Sequence, residues 1–186
     1  MTFLAVICYN YIRNNYGGMK MYNVNDEVMY SPYGICIISE IAVRDFSGEP
    51  MEYYILRPVG DSKNTFYVPT QNENLTSQMR PVLTREEINE LISVMPDDNE
   101  IYIDDSNRRR DEYQRILRDG DRHELVRLIK TLYLRRQDRK EQRKKLLSAE
   151  EHTLRNAENL LYDEFAYVLG IPREQVITYI REHISA

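Results

Sequence analysis

The chain has 186 residues, a net charge of −5 and two cysteines. That length holds one or two domains with an adequate core. Two cysteines cannot build a disulfide framework or a metal site, a reduced cytoplasmic setting suits them, and no apolar run is long enough to span a bilayer. The net charge conceals an asymmetry: residues 21–105 carry 5 Lys/Arg against 16 Asp/Glu, residues 106–147 carry 15 against 7, and residues 148–186 carry 3 against 7. A basic block inside an acidic chain creates a local field that the overall charge hides.

In residues 1–20 the apolar run Phe3 to Cys8 lacks a basic region before it and a cleavage site after it, so no signal peptide is expected. Gly17 and Gly18 precede Met19 and Met21. Glycine codons can resemble a ribosome-binding sequence, and the hypothesis is that translation starts at Met21, residues 1–20 being an N-terminal extension. An intact mass that includes them would sink it.

Strand patterning follows. Residues 26–31 and 34–41 are apolar or alternating, joined by the turn Ser31-Pro32-Tyr33-Gly34. Asp45-Phe46-Ser47-Gly48-Glu49-Pro50 is a second turn. Met51 to Leu56 makes a third strand, and Thr65 to Val68 a fourth closed by Pro69. Short strands with tight turns predict a small β-barrel of the SH3 or Tudor kind. Parallel strands would need crossover helices between them, and the spacing leaves no room.

From residue 84 the period becomes helical. Thr84-Arg-Glu-Glu87 is a capping box, followed by Ile88, Leu91 and Ile92 on one face and a stop at Met95-Pro96. Residues 96–105 read as a linker. A helix over roughly 106–118 stops at Gly120, and a second, started by Asp121, carries Leu125, Leu128, Ile129 and Leu132 and runs to about Lys145. Ser148-Ala-Glu-Glu151 is another capping box, ahead of a helix that buries Leu154, Leu161, Phe165 and Val168 and ends near Gly170. Pro172 opens a last helix with Val176, Ile177 and Ile180 inward. The expectation is a two-domain chain, a small N-terminal β-barrel plus a C-terminal all-α bundle: residues 21–82, a helix and linker over 83–105, and residues 106–186.

The chain from Met21 to about Leu169 resembles the CarD (CdnL) family of bacterial transcription regulators. The matching residues are Val24-x-Asp26-x-Val28-x-Tyr30-x-Pro32-x-Gly34, Gly48-Glu49-x-x-Glu52-Tyr53-x-x-Leu56, Val68-Pro69 and Arg80-x-Val82. They continue with Arg108-Arg109, Leu117-x-x-Gly120-Asp121, Leu132-x-x-Arg135 and Ser148-x-x-Glu151. The resemblance implies a Tudor-like domain, shared with the transcription-repair coupling factor, that binds the RNA polymerase β subunit. It also implies a helical domain that touches promoter DNA near the upstream edge of the transcription bubble. The usual consequence is a stabilised open complex, often at ribosomal RNA promoters.

By that resemblance, Arg44 stands where relatives carry a polymerase-contacting basic residue, and Phe46 where an apolar neighbour is expected. Tyr67 replaces a second arginine; it can pack and hydrogen-bond but cannot form a bidentate ion pair. A solvent-facing strand residue is the plain alternative. Pairing of an edge strand with polymerase is the expected mode. Many relatives place a tryptophan wedge before the Arg-Arg pair; this chain has no tryptophan and carries Ser106 or Asn107 there. Tyr102 offers a ring, but four residues away. Phosphate contacts by Arg108, Arg109 and Arg110, with Arg135, Arg136 and Arg139, are the expected substitute, unless the run is a solvated face laced with local ion pairs.

No Walker loop, dinucleotide fingerprint, zinc-protease motif or paired-cysteine motif occurs, and His123, His152 and His183 are scattered. Cys36 lies in an apolar strand and reads as core. No enzyme, cofactor or metal is expected; nothing argues against a monomer. Three readings stay open: a polymerase-binding regulator that contacts DNA, an adaptor without productive DNA contact, and a nucleic-acid binder without polymerase affinity.

Overall fold

The computed structural model describes residues 22–46, 48–60, 63–95 and 99–184. The N-terminal extension and the expected start at Met21 lie outside the described residues. Five strands, β1 (Glu27–Tyr30), β2 (Gly34–Arg44), β3 (Met51–Pro58), β4 (Phe66–Pro69) and β5 (Met79–Pro81), form one antiparallel sheet in the order β4-β3-β2-β1-β5. Helix α1 (Glu73–Thr76) lies between β4 and β5. The helical half contains α2 (Arg85–Val94), α3 (Ser106–Asp119), α4 (Arg122–Glu141), α5 (Ser148–Leu169), a 3-10 turn (Arg173–Gln175) and α6 (Val176–Ile184).

Period-two alternation explains the sheet. Val28, Tyr30, Cys36, Ile38, Tyr54, Leu56, Val68 and Met79 point to one face and share a core with Tyr22. A bulge between Ile38 and Glu40 shifts the register of β2 against β3, and Ser39 Oγ there donates to the Ile55 carbonyl at 3.0 Å. The sheet stays open, where a closed barrel was expected: β4 and β5 do not pair. They have only 4 and 3 residues, and Leu75 of α1 packs at the margin of the core.

The other face of the sheet is also covered. Met29 of β1 and Ile35 of β2 enter a core with Tyr113, Ile116, Leu117, Leu125, Leu128, Leu132 and Leu154. The two halves therefore share apolar packing. Helix α2 joins the helical half, with Ile88, Leu91 and Ile92 packed on Val126, Leu161, Phe165 and Val176. The segment after it is tied down as well: Ile101 N donates to Thr131 Oγ1 at 2.8 Å, and Arg127 Nε to the Asn99 carbonyl at 2.9 Å.

Local capping sets the helix ends. The Thr84–Glu87 capping box forms as expected, with Glu87 N donating to Thr84 Oγ1 at 3.2 Å and Thr84 N to Glu87 Oε2 at 2.8 Å. The Ser148 box does not form. Leu147 precedes the helix without a side-chain cap and Ser148 is already helical, so Ser148 does not stand at the N-cap position that a box requires. Helix α4 ends at Glu141, short of Lys145. Arg143 turns left-handed and Lys144 N reaches the Arg139 carbonyl at 2.7 Å, which directs Leu146 into the interior. In α6 only Val176 is fully inward; Ile177 is exposed.

Candidate functional site

One of the two edge strands of the sheet is β4. Thr70 N donates to the Glu52 carbonyl at 2.9 Å, so Val68 and Phe66, two and four residues back, turn their main-chain groups toward β3. By alternation, Tyr67 presents its N–H and C=O outward, and Pro69, which has no N–H, ends the edge. Tyr67 is 45% exposed and Phe46 60%. Their ring centroids are 5.1 Å apart in a T-shaped pair, and Phe46 meets Tyr53 in the same way at 5.2 Å. Val43 and Met51 are exposed beside them. Arg44, in register with Met51, is held by Glu40 at 2.9 Å. The structure thus gathers the three sequence-selected residues Arg44, Phe46 and Tyr67 at one corner: an exposed aromatic group, a cation and an unpaired strand edge.

The second group lies where three helices meet. Asp105 caps α3 by accepting from Asn107 N and Arg108 N, which sets Arg108, Arg109 and Arg110 at the helix start. Arg109 turns inward. Its Nη1 donates to the carbonyls of Ile103 and Asp104 at 3.0 and 3.2 Å, and its Nε lies 3.7 Å from Glu150 Oε1. Arg135 Nε reaches the same oxygen at 3.1 Å. Glu150 is buried, and its Oε2, with the nearby Tyr113 hydroxyl, has no hydrogen-bond partner among the described residues. Burial pushes the Tyr113 hydroxyl pKa up.

One carboxylate therefore draws the start of α3 and the later turns of α4 together. The neighbouring cations are left outside. Arg108 and Arg110 are exposed, and among the described residues Arg110 pairs with Asp111 alone, at 3.8 Å. Arg136 lies over the Tyr133 ring at 5.2 Å and 3.8 Å from Glu151. Arg139 is half-buried in the last turn of α4. Other cations of the block are consumed internally. Arg115 holds Glu112, Asp119 and Glu124 at 2.6 to 2.9 Å, and those carboxylates raise its pKa further.

A third set of residues, not singled out as a site from the sequence, joins the two surfaces. Arg80 of β5 grips Glu164 of α5 and also donates from Nε to the Gly120 carbonyl at 3.2 Å. Glu164 accepts in addition from Leu83 N at 3.0 Å. Arg122 lies 3.8 Å from Glu164; burial first, then the Arg80 charge, lowers its pKa. Ser31 Oγ donates to the Leu117 carbonyl at 3.1 Å, and Tyr167 OH to Glu27 at 2.6 Å. Ser31, Arg80, Leu117 and Gly120 fall in the quoted family motifs or their turn, the one signal that could have found this set.

Residues 22–83 match the family described as CarD-like/TRCF RID domain, and residues 90–181 match CarD, C-terminal domain. A Bacillus subtilis (strain 168) protein named "Putative transcription factor YdeB" is 23% identical over 159 residues, covering 86% of this chain and 99% of its own length. The matched segments coincide with the sheet that carries the exposed edge and the helices that carry the arginines. Among the described residues no helix is long and apolar enough to cross a membrane. The chain belongs to the CarD family, whose domains mark a transcription factor that interacts with RNA polymerase.

Proposed function

We propose that this protein docks on the RNA polymerase β subunit through the β4 edge, with Arg44, Phe46 and Tyr67, and lays its helical half on promoter DNA near the upstream edge of the bubble. It works as a cytoplasmic monomer on the nucleoid and stabilises the open complex, ribosomal RNA promoters included. The observation that carries this reading is the presence of both surfaces on one framework: an aromatic strand edge, and the exposed Arg108 and Arg110 at the start of a helix that Arg109 ties to Glu150. Phosphates are the natural complement of the second surface. Three arginines open α3; Asp105 caps the helix and Glu150 takes Arg109, which leaves Arg108 and Arg110 as the exposed cations for a phosphate. Such contacts position a protein without reading sequence. The DNA-facing role rests on Arg108, Arg110, Arg136 and Arg139; Arg109 and Arg135 act through the Glu150 pairing.

The adaptor reading has its own support. The chain lacks tryptophan, and two of the six selected arginines are spent on Glu150. The lifetime of polymerase open complexes on a ribosomal RNA promoter separates the two, using wild type and Arg108→Ala/Arg110→Ala/Arg139→Ala. A lifetime lengthened by wild type and not by the variant supports the regulator. An unchanged lifetime despite β-subunit binding supports the adaptor.

A further inference from the structure

A cleft of about 690 Å³ lies between the β1–β2 turn and helices α3 and α5, within the size range of ligand sites. Leu117 and Leu160, both nearly buried, form an apolar floor. Tyr33 stands at the mouth, 54% exposed, its ring centroid 4.4 Å from Phe66 and 5.3 Å from Tyr30. Gly34, at φ 92°, makes the turn that presents this ring.

Carboxamides line the wall. Asn156 uses its Nδ2 on His152 at 3.3 Å, which leaves its oxygen as an acceptor. Asn159 uses its oxygen on Arg173, which leaves its Nδ2 as a donor. Gln114 is exposed and makes no hydrogen bond to described residues, so it offers both. An apolar floor, an exposed ring and a mixed donor-acceptor wall match a nucleobase: its face stacks and its edge hydrogen-bonds. Arg110, Gln114 and Arg118 follow one face of α3 at i,i+4 spacing, about 6 Å per step. That row leads from the exposed arginines into the cleft. Asp163, the one carboxylate among the described lining residues, is paired with Arg173 at 2.6 Å.

We propose that this cleft receives an unpaired base of single-stranded DNA, stacked on Tyr33 and held at its edge by Gln114, Asn156 and Asn159. The proposal rests on the DNA-contacting reading above and adds a strand-selective site to its phosphate contacts. It also supplies an aromatic contact in a chain without tryptophan, from the sheet half and not from the start of α3.

The test compares the full chain on a duplex and on a fork carrying 2-aminopurine at its unpaired positions, at one salt concentration, by anisotropy and by 2-aminopurine fluorescence. Wild type is expected to prefer the fork by about tenfold, the scale of one stacked base, with a change in 2-aminopurine emission. Tyr33→Ala and Gln114→Ala bring the preference toward one while duplex affinity holds, and Tyr33→Phe keeps it. Gln114 is on the surface, so its variant reports even if Tyr33→Ala misfolds. Equal wild-type affinity for fork and duplex, or an undiminished preference in both alanine variants, overturns the base site and leaves phosphate binding standing. Failure to bind either DNA overturns the DNA-contacting reading together with it.

Discussion

Arg80 and Glu164 form two parallel hydrogen bonds, Nη1 to Oε1 at 2.7 Å and Nη2 to Oε2 at 2.8 Å, and the carboxylate is 0% exposed. The pair joins the last strand of the sheet to the C-terminal part of α5. Removing one partner strands a charge in the interior. Arg80→Ala is expected to destabilise the protein by about 3–5 kcal/mol, read as the shift of the urea midpoint at unchanged slope.

Gly120 ends α3 at φ 65°, and a Cβ there would collide with the Ser31 side chain. Gly120→Ala therefore combines backbone strain with a clash at the junction of the two halves. A loss of about 1–3 kcal/mol is expected, and Ser31→Gly should restore part of it in the double variant, because it removes the colliding atoms.

Phe46→Ala and Tyr67→Ala should each weaken binding to a β-subunit fragment by about tenfold, the scale of an exposed aromatic anchor at an interface. Calorimetric titration measures it. Both residues are exposed, so thermal stability should hold within about 0.5 kcal/mol. A drop in affinity accompanied by unfolding would point to the sheet and not to the contact.

Salt separates the arginines. If Arg108, Arg110, Arg136 and Arg139 meet four phosphates, the log–log slope of duplex affinity against salt is about −3.6. Each alanine variant of these four lowers it by about one. Arg109→Ala should instead lower the thermal midpoint, because it releases the Ile103–Asp104 segment and half of the Glu150 pairing.

The Tyr162 hydroxyl is pushed up to about 12, by burial first and then by Glu158. The folded state thus holds its proton where the unfolded chain, near 10, has lost it. Unfolding releases a proton between those values, so this contribution is fully present below about pH 10 and is lost as pH rises toward 12. The urea midpoint should fall over that window, and Tyr162→Phe should fall less.

What the sequence made legible was mostly local. The Thr84–Glu87 box needs only residues three apart, and Asp121 and Gly120 mark helix ends by their own chemistry. Strand β5 escaped notice because it has 3 residues, ends in Pro81 and lacks alternation long enough to register. The partition among arginines was also hidden. Arg108 and Arg109 are adjacent and chemically identical, and only the fold turns one toward a carboxylate 41 residues on. Glu164, 84 residues from Arg80, resembled any acidic residue on a helix. Ser148 looked like a cap because its spacing to Glu151 fits a box, but the helix begins one residue earlier, with Leu147 at the N-cap.

The shared packing of Met29 and Ile35 with the helices, reinforced by Arg80, Ser31 and Tyr167, turns the chain into a calliper. Jaws on a loose tether would have to search for their second target. Jaws on a stiff frame bring it within reach once the first is gripped, at an effective concentration that short connections raise to about the millimolar range. On the DNA-contacting reading proposed above, contacts that hold free DNA loosely would be strengthened at one place. Selectivity for that place would then come from where the first jaw is fastened, so that, on the proposed reading, a surface that reads no sequence would still act at a promoter.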